Sequence, residues 1–430
     1  MRDRYARLRM PRRALPLAGA LVLFIAGCTG GEGGGPTTGG EVAGPTTTAP
    51  STTTTTPLRT EVADLPGRLV VLDESGNVVT IDPDGSNPIA ITDDAGRDAA
   101  YRQPTFSPVE DLLSWAELRA SGFGLGFSNG SGNDRTLTEM IAAPFFTYWS
   151  PDGTSVGILR NSTQGTSIDL EVVDVATRSA RVLATGSPFY FSWSPDGTRL
   201  AVHVELELFA TLDLEGNSES LGETAPGYQA PAWLPEGVLH LAPEGLVLRP
   251  EQGEPRLLAT VPGAVTFVAN SQGSRVAVQA FVAEPAPGID AAFHPAPALP
   301  ANRVVVIDIA SGEIDEVSTA PAVGLFWSPD GDSLLVLAVG AEGSGEVETL
   351  VWHDGETTEL SVIVPHPTLL GEVLRFFDQY GQSLRLWSPD SAAFALVGAI
   401  EGNPGIWIHT VAGGDPVQVH EGSWVSWSSS

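Results

Sequence analysis

The stretch Trp193-Ser194-Pro195-Asp196-Gly197 decides the fold, because the chain repeats it. The same five residues return at 149–153 and 327–331, with one change at 387–391 and more loosely at 233–237. Phe106 begins an eroded copy, and the chain ends on Trp427 followed by three serines. We call this unit the repeat motif. A motif that recurs along a chain at a nearly constant spacing indicates structural repeats.

The spacing of the motif gives the size of one repeat. Successive copies lie 40–60 residues apart, apart from one gap of 94 residues between Trp233 and Trp327. A weaker copy fills that gap: the ten residues from Ala269 read ANSQGSRVAV, against WSPDGTRLAV from Trp193. The eight copies then run from residue 106 to residue 427, a mean spacing of about 46 residues. That is the length of one four-stranded propeller blade.

Each repeat also has the same internal plan. Short apolar strands, such as 200–204 and 208–213, alternate with turns rich in Gly, Asp and Asn, which is typical of antiparallel sheet. Within the motif, Pro presets φ and Gly permits a left-handed exit, so we predict a tight turn between the first two strands of a blade. The Trp ends the inner strand and is expected to pack between blades. The residues given this structural role are Trp149, Asp152, Gly153, Trp193, Asp196, Gly197, Trp327, Asp330, Gly331, Trp387, Asp390 and Trp427.

The repeat motif resembles that of the TolB-like (WD40-like, PD40) β-propellers. The resemblance runs from about Arg68 to Ser430, and Asp82-Pro83-Asp84-Gly85-Ser86-Asn87 also resembles the end of such a blade. It implies an all-β fold of four-stranded blades. It does not imply an activity, because propellers carry many different functions.

The two ends of this region predict how the ring closes. Three apolar segments between residues 68 and 92 come before the first motif, whereas the last motif has no strands after it. The C-terminal strand should therefore complete the N-terminal blade and remove the open edge of the ring. Eight motifs with this closure predict eight blades. Seven blades is the alternative, if the weak copy near Ala269 does not form a blade of its own.

The first 28 residues have the pattern of a bacterial export signal. Six arginines lie before residue 14, and the apolar stretch 15–26 is too short to span a bilayer. The stretch ends at Ile25, Ala26, Gly27 and Cys28, which resembles the lipobox of bacterial lipoproteins. The resemblance implies removal of the signal peptide 1–27 and lipid on Cys28. An ordinary signal peptide is the alternative, and Arg12-Arg13 leaves general and twin-arginine export both open.

Composition describes the rest of the chain. Residues 28–66 are rich in Gly, Thr and Pro and predict a disordered tether before the propeller at 67–430. With 52 acidic and 22 basic residues the net charge is -30, so nucleic acid is not an expected partner. One Cys excludes an internal disulfide. We expect a monomer held by its lipid at the extracytoplasmic face of a bacterial cell membrane.

Two insertions depart from the repeat and are the expected partner-docking elements. Residues 284–302 form a Pro/Ala-rich excursion between two strands of one blade. Residues 368–380 have apolar side chains at helical spacing and predict the only helix. The alternative for that helix is that it covers a groove with its own apolar face. The candidate docking residues are His294, His366, Phe376, Phe377 and Tyr380.

Motifs that would indicate catalysis are weak. Gly153-Thr154-Ser155-Val156-Gly157 matches the nucleophile motif of hydrolases, but it lies in a predicted hairpin and not in a strand-to-helix turn. Asp82-Pro83-Asp84-Gly85 begins like a calcium loop but lacks the remaining ligands. The seven histidines are scattered without metal-ligand spacing. The sequence therefore predicts no catalytic residue, no metal and no cofactor.

Three functions remain for such a chain. The first is a membrane-anchored extracytoplasmic lipoprotein whose propeller binds a protein, peptide or glycan at the cell envelope. The second is a hydrolase or lyase with its site at the mouth of the propeller channel. The third is an accessory lipoprotein that presents a sensor or an enzyme partner.

Overall fold

The computed structural model describes residues 62–429, apart from 206–207, 223–229, 262–264, 281–298, 300–301, 376 and 378–382. Strands dominate this part of the chain, and the paired strands are antiparallel throughout. The all-β prediction is therefore confirmed. Within these residues, no helix has both the length and the apolar character needed to cross a membrane.

Six of the sheets contain four strands each. Sheet 1 combines the first three strands with the last one: β1 (Leu69–Leu72), β2 (Val78–Ile81), β3 (Ile89–Ala90) and β31 (Trp424–Trp427). Sheet 2 contains β4 (Ala99–Phe106), β5 (Leu112–Arg119), β6 (Gly122–Asn129) and β7 (Thr136–Met140). Sheet 3 contains β8 (Pro144–Trp149), β9 (Ser155–Asn161), β10 (Ile168–Asp174) and β11 (Ala180–Gly186).

The next three sheets follow the same order along the chain. Sheet 4 contains β12 (Phe189–Trp193), β13 (Arg199–Val204), β14 (Leu208–Asp213) and β15 (Ser218–Ser220). Sheet 5 contains β16 (Ala232–Trp233), β17 (Gly237–Ala242), β18 (Gly245–Pro250) and β19 (Arg256–Ala259). Sheet 6 contains β20 (Val265–Ala269), β21 (Arg275–Ala280), β22 (Val304–Asp308) and β23 (Ile314–Ser318).

Sheet 7 contains seven strands. They are β24 (Ala322–Trp327), β25 (Ser333–Val339), β26 (Val347–His353), β27 (Glu356–Pro365), β28 (Ala393–Ile400), β29 (Asn403–Thr410) and β30 (Val417–His420). The sheet is long because the last two residues of β27 pair with Ala399 and Gly398 of β28. Trp387 makes only a single bridge, to Phe394. Sheet 7 thus holds two copies of the repeat motif, whose blades the sequence counts separately.

Burial falls from the inner strands of a sheet to its outer strand. In sheet 4, β13 and β14 are mostly buried, whereas all three residues of β15 are exposed. The inner strands contact neighbouring sheets on both faces, so their sequences are continuous apolar runs and do not alternate. The outer strand has only one covered face and can be polar.

Apolar side chains fill the space between successive sheets. Phe127 of sheet 2 packs with Trp149 of sheet 3, and Phe209 of sheet 4 packs with Trp233 of sheet 5. Further clusters join sheet 3 to sheet 4 and sheet 5 to sheet 6. The largest cluster extends from sheet 6 through sheet 7 to sheets 1 and 2. This unbroken series of contacts closes the sheets into a ring, the β-propeller that the sequence predicted.

The repeat motif forms the turn between the first two strands of a sheet. Ser194 Oγ donates to Asp196 Oδ1 at 2.6 Å and accepts from the Arg199 amide at 2.9 Å. The Gly197 amide donates to the Ser194 carbonyl at 2.9 Å, and Gly197 has φ 72°. The motif copies at 150, 328 and 388 repeat the Ser-to-Asp bond. The fourth copy has Ser391 at the glycine position and still adopts φ 62°.

The tryptophan of the motif connects one repeat to the preceding one. Trp193 Nε1 donates to the Tyr148 carbonyl at 3.1 Å, and Trp327 Nε1 donates to the Val268 carbonyl at 2.8 Å. Trp387 Nε1 donates to the Phe326 carbonyl at 3.0 Å. Each acceptor directly precedes the first residue of the preceding motif copy, which for Trp387 lies in the same seven-stranded sheet. These bonds place the indole rings between successive repeats.

The weak motif copy begins a sheet of its own. Asn270 takes the place of the motif serine, and its Oδ1 accepts from the Ser274 and Arg275 amides at 2.9 and 3.1 Å. Its Nδ2 donates to the Gly331 carbonyl of the next sheet at 3.1 Å. A carboxamide therefore replaces both the turn hydroxyl and part of the contact between sheets.

The C-terminal strand completes the N-terminal sheet, as predicted. Leu69 to Leu72 of β1 pair in antiparallel register with Trp427 to Trp424 of β31. Arg68 and Ser428 extend the pairing through two hydrogen bonds of 2.8 Å. Trp427 Nε1 donates to the Pro66 carbonyl at 2.9 Å. These contacts close the ring, and they join residues about 360 positions apart in sequence.

The folded part extends into the region predicted as a tether. Val62 is 1% exposed and belongs to the large apolar cluster, and Leu65 packs against that cluster. Both residues lie within the range 28–66. The signal peptide, the lipobox and Cys28 lie outside the described residues.

The two predicted insertions are described only in part. Within 284–302 only Leu299 and Asn302 belong to the described residues. In the second insertion, Leu369–Leu374 form a π-helix within the predicted helix, of which residues 376 and 378–380 lie outside the described residues. Leu369, Val373 and Leu374 are buried, which agrees with the alternative of a helix that covers a groove with its apolar face. Glycine at position 371 within this short stretch disfavours a regular helix.

Candidate binding site in the central channel

A cleft opens where the first strands of several sheets approach one another. It lies between β4, β8, β31, the π-helix and the segment leading to Trp387, and it is narrow and partly open to solvent. First strands of successive blades line the central channel of a propeller, so the cleft belongs to the channel. Its lining residues are Gln103, Thr105, Phe146, Thr147, Glu372, Val373, Ser383, Leu384, Arg385, Leu386, Trp424, Val425 and Ser426.

A bulge in β4 forms one wall of the cleft. The pairing with β5 shifts between Arg102 and Thr105, and Gln103 has φ 50°, a conformation that side chains other than glycine rarely adopt. Two contacts hold the bulge. Gln103 Nε2 donates to the Phe145 carbonyl at 2.9 Å, and Trp424 Nε1 donates to the Pro104 carbonyl at 2.8 Å. Strained backbone of this kind clusters at binding and catalytic sites.

Arg385 brings a positive charge into the cleft. The residue is half-buried, and its Nη1 donates to the Ser107 carbonyl at 3.1 Å. Its own carbonyl accepts from the Trp427 amide at 2.8 Å, which fixes the backbone against the closing strand. Burial lowers the pKa of the guanidinium to about 10, and the nearby Tyr148 hydroxyl acts in the opposite direction. No carboxylate among the described residues forms an ion pair with Arg385.

Tyr148 lies close enough to Arg385 for the two charges to interact. Burial raises the pKa of its hydroxyl, and the guanidinium of Arg385 offsets part of that increase. The hydroxyl therefore stays protonated at neutral pH and is a hydrogen-bond donor. The tyrosine ring packs on Phe191, with 5.8 Å between ring centroids. Tyr148 is not among the residues that line the cleft, whereas Arg385 lines it and favours a ligand that accepts hydrogen bonds.

Glu372 brings a carboxyl group to the cleft from the π-helix. Its side chain is 22% exposed, and Oε1 accepts from Arg102 Nη1 at 3.4 Å. Its Oε2 is buried and has no hydrogen-bond partner in the described structure. Burial raises the pKa of this carboxyl, and Arg102 partly offsets the increase. Glu372 is therefore protonated at a higher pH than an exposed glutamate.

The motif residues lie around the ring, in turns and between sheets, and not in the cleft. Phe377 is buried and packs against Phe326 with 6.4 Å between ring centroids. His366 is half-buried, its Nδ1 accepts from the Thr368 amide at 3.1 Å, and burial lowers its pKa. Neither residue lines the cleft. His294, Phe376, Tyr380, Cys28, Ile25, Ala26 and Gly27 lie outside the described residues.

Sequence reasoning missed Arg385, although the repeats contain a signal for it. The residue two positions before each motif aromatic is uncharged in the other copies: Pro104, Thr147, Phe191, Pro231, Phe267, Leu325 and Val425. Arg385 is the one charged residue in that series. Glu372 lies within the predicted helix, but the helical spacing concerns only its apolar neighbours and contains no signal for a carboxyl in the cleft.

The motifs that resembled catalytic or metal sites have structural roles. Ser155 is the first residue of β9, and its amide donates to Ser150 Oγ at 2.9 Å, so the nucleophile-like motif is part of a hairpin. The Gly85 amide donates to the Asp82 carbonyl at 2.8 Å, which makes the calcium-like stretch a turn. The described residues contain no group of three or more His, Cys, Asp or Glu side chains placed to hold a metal ion.

Comparison with known proteins finds likeness in fold only. No family model matches the sequence, and no curated protein matches it. Among solved structures, TolB from Acinetobacter baumannii has a TM-score of 0.40 and 15% identity, over 68% of this chain and 63% of that one. The chain thus spans less than two thirds of TolB.

Two further structures match over a larger share of their own length. The β-propeller domain of the Trilobed protease from Pyrococcus furiosus has a TM-score of 0.45 and 14% identity, over 76% of this chain and 99% of that one. Oligogalacturonate lyase from Vibrio parahaemolyticus has a TM-score of 0.49 and 15% identity, over 80% and 97%.

Proposed function

We propose that this chain is a lipid-anchored extracytoplasmic lipoprotein whose propeller binds a protein, peptide or glycan of the cell envelope in its central channel. The observation that carries the binding role is the cleft between β4, β8, β31 and residues 383–386. Its wall is mostly apolar and includes Phe146, Leu384 and Leu386, while a few polar groups converge on it. Binding sites for small ligands and chain ends have this composition.

The rigidity of the wall supports the same role. Gln103, Thr105, Thr147 and Ser426 lie on strands of the ring, and the backbone of Arg385 is fixed by the Trp427 amide of the closing strand. Groups held by a scaffold lose little conformational entropy when a ligand binds. A preformed cleft of this kind suits recognition of one segment of a larger partner.

Membrane attachment is proposed from the N-terminal sequence. Cys28 follows an apolar stretch and a lipobox-like Ile25-Ala26-Gly27, and a Gly/Thr/Pro-rich segment follows it. Two or more acyl chains on one cysteine give stable anchoring, whereas one chain does not. We expect Cys28→Ser to move the full chain from the membrane fraction to the soluble fraction. A variant that stays with the membrane as wild type does would contradict the anchor.

Binding in the channel is tested by photo-crosslinking in cells. A diazirine-bearing residue at Leu384, which lines the cleft, is expected to form a discrete adduct with an envelope component. The matched control carries the same residue at Ser218, on the exposed outer strand β15. Equal labelling at both positions, or an adduct only at Ser218, would place binding elsewhere on the propeller.

A hydrolase or lyase is the second candidate, and Glu372 is the observation in its favour. A carboxyl with a raised pKa beside an arginine is a combination that acid–base catalysis uses. The test incubates the full chain with peptide and oligosaccharide fractions of the cell envelope and follows products by mass spectrometry. An enzyme would lose turnover in Glu372→Gln and keep ligand binding. A binding protein would produce no product with either chain.

The third candidate, an accessory lipoprotein, is distinguished from the other two by the protein that it captures. Such a protein would capture a sensor or enzyme in crosslinked pulldowns regardless of changes in the cleft. Loss of capture in cleft variants favours the binding role proposed above.

A further inference from the structure

Arg385 is the only arginine that lines the cleft, and among the described residues it forms no ion pair. Acidic residues outnumber basic ones 52 to 22, and most described arginines form an ion pair. Arg160, for example, is buried between Asp169 and Glu171, with distances of 2.7 and 2.5 Å. Arg385 is half-buried, and a carbonyl is the acceptor of its hydrogen bond. In a chain with so many acidic residues, it is unexpected that no described carboxylate pairs with Arg385.

Partial burial of Arg385 without an ion pair to a described residue costs free energy. A guanidinium carries five N–H donors and stays charged, so partial burial without a counter-ion is unfavourable. The lowered pKa of Arg385 expresses that cost. The carboxyl that lines the same cleft, Glu372, is bonded to Arg102 and has a raised pKa. The cleft therefore has a positive side that the described residues do not neutralise.

The residues around Arg385 indicate which chemical group could pair with it. Leu384 and Leu386 flank it along the chain, and Phe146 and Val373 line the same cleft. A planar carboxylate fits two parallel N–H groups of an arginine, and an apolar body fits the rest of the wall.

We propose that the channel cleft binds a carboxylate carried on an apolar body, with Arg385 as the residue that pairs with the carboxylate. The inference rests on the proposed binding role of the cleft and names the chemistry of its ligand. The same group occurs in a free organic acid and at the C-terminus of a peptide whose last side chain is apolar. In both cases the carboxylate supplies a counter-ion that none of the described residues gives Arg385, and the apolar body covers the leucine and phenylalanine side chains.

The test compares acids with their neutral amides by calorimetry and ligand-observed NMR on the full chain. One pair is 4-phenylbutyrate and 4-phenylbutyramide, and the other is acetyl-Gly-Gly-Leu with a free or an amidated C-terminus. We expect each acid to bind at least about tenfold more tightly than its amide, the scale of one charged hydrogen-bonded pair. Preference for the peptide pair would identify a chain end as the ligand, and preference for the small acid would identify a free acid.

Variants of Arg385 test whether this residue causes the difference in affinity between acid and amide. Arg385→Gln is expected to remove the difference between acid and amide, and Arg385→Lys to keep part of it, because lysine retains the charge but not the planar fork. Arg97→Gln is the matched control, since Arg97 is exposed and also lacks an ion pair in the described structure. It should bind both acids as wild type does. Thermal unfolding of each variant shows whether the ring is intact.

Several results would overturn the inference. Equal affinity of acid and amide for wild type is one, and an unchanged acid preference in a folded Arg385→Gln is another. Failure of both acids to bind at about 10 mM also rejects it, since a site built for that group holds it more tightly. The proposed function fails by different results, namely membrane retention of Cys28→Ser or absence of an adduct at Leu384.

Discussion

At the scale of the residue, the tryptophans of the repeat motif have one geometry and two hydrogen-bonding states. Trp387 and Trp149 are equally buried, at 4% and 5% exposure. Trp387 Nε1 donates to the Phe326 carbonyl at the start of the preceding repeat, whereas Trp149 Nε1 has no partner among the described residues. The chain thus contains its own comparison between a bonded and an unbonded indole at the same place in the repeat.

This comparison leads to a prediction on stability. Trp387→Phe and Trp149→Phe both leave a smaller ring, but only the first leaves a buried carbonyl without its donor. We expect Trp387→Phe to lower the free energy of unfolding by about 1 kcal/mol more than Trp149→Phe does. Urea unfolding of both variants measures the difference. Equal losses would show that the indole contributes by volume alone.

At the scale of the element, two histidines are packed inside sheets without a charge partner. His409 of β29 stacks on Phe394 of β28 at 4.8 Å, and its Nδ1 lies 3.2 Å from Ser361 Oγ. Burial lowers its pKa to about 3. His240 of β17 packs on Phe209 of the adjacent sheet at 4.5 Å, and burial, its largest cause, lowers its pKa to about 4. Both strands therefore require a neutral imidazole.

The sign of the pH dependence follows from these shifts. In the unfolded chain each imidazole takes up a proton as the pH falls through about 6.5, while in the folded chain it stays neutral to a lower pH. Protons then favour unfolding, and stability falls below that pH by up to about 1.4 kcal/mol per pH unit for each histidine. Thermal unfolding between pH 7 and pH 4.5, the range over which we expect the loss, measures the effect.

A pair of variants isolates the contribution of one histidine. His409→Leu removes the buried titrating group, and its stability should depend less on pH than that of wild type. The control is His353→Gln, because the His353 side chain is 55% exposed. Identical pH profiles for wild type and His409→Leu would contradict the assignment.

At the scale of the whole molecule, the ring depends on its last strand. Trp424, Val425 and Trp427 of β31 are buried in the large apolar cluster, and the strand pairs with β1 along its length. It also holds the cleft, since Trp424 Nε1 bonds the Pro104 carbonyl of the bulge and the Trp427 amide bonds the Arg385 carbonyl. The strand β31 therefore both closes the ring and forms part of the cleft.

Truncation tests this dependence. Removal of residues 424–430 exposes an edge of β1 and takes the three buried side chains out of the core, each worth about 1.5–3 kcal/mol. We expect a large fall in the unfolding temperature, with hydrogen exchange accelerated first in β1 and β4. Removal of residues 429–430 is the control and should change little. A truncated chain as stable as wild type would show that β31 is not the fastening of the ring.

The sequence predicted the parts of the molecule that repeat. Motif spacing gave the sheets, the Ser-Pro-Asp-Gly turn and the pairing of the ends, because each depends on residues a few positions apart or on a copied pattern. The cleft could not be predicted in the same way. Its groups come from residues as distant as Ser107 and Arg385, and the bulge at Gln103 and the π-helix at 369–374 break the repeat. What marks the cleft in the sequence is the departure from the repeat at position 385.

The central claim is that the channel cleft, through Arg385, is where this chain binds its ligand. The most direct measurement is the yield of the photo-crosslinked adduct from Leu384 in intact membranes, compared between otherwise wild-type protein and Arg385→Gln. We expect an adduct whose yield falls at least about tenfold in Arg385→Gln. We also expect the yield to fall when a free carboxylate probe competes for the cleft. An adduct of equal yield in both proteins would contradict it.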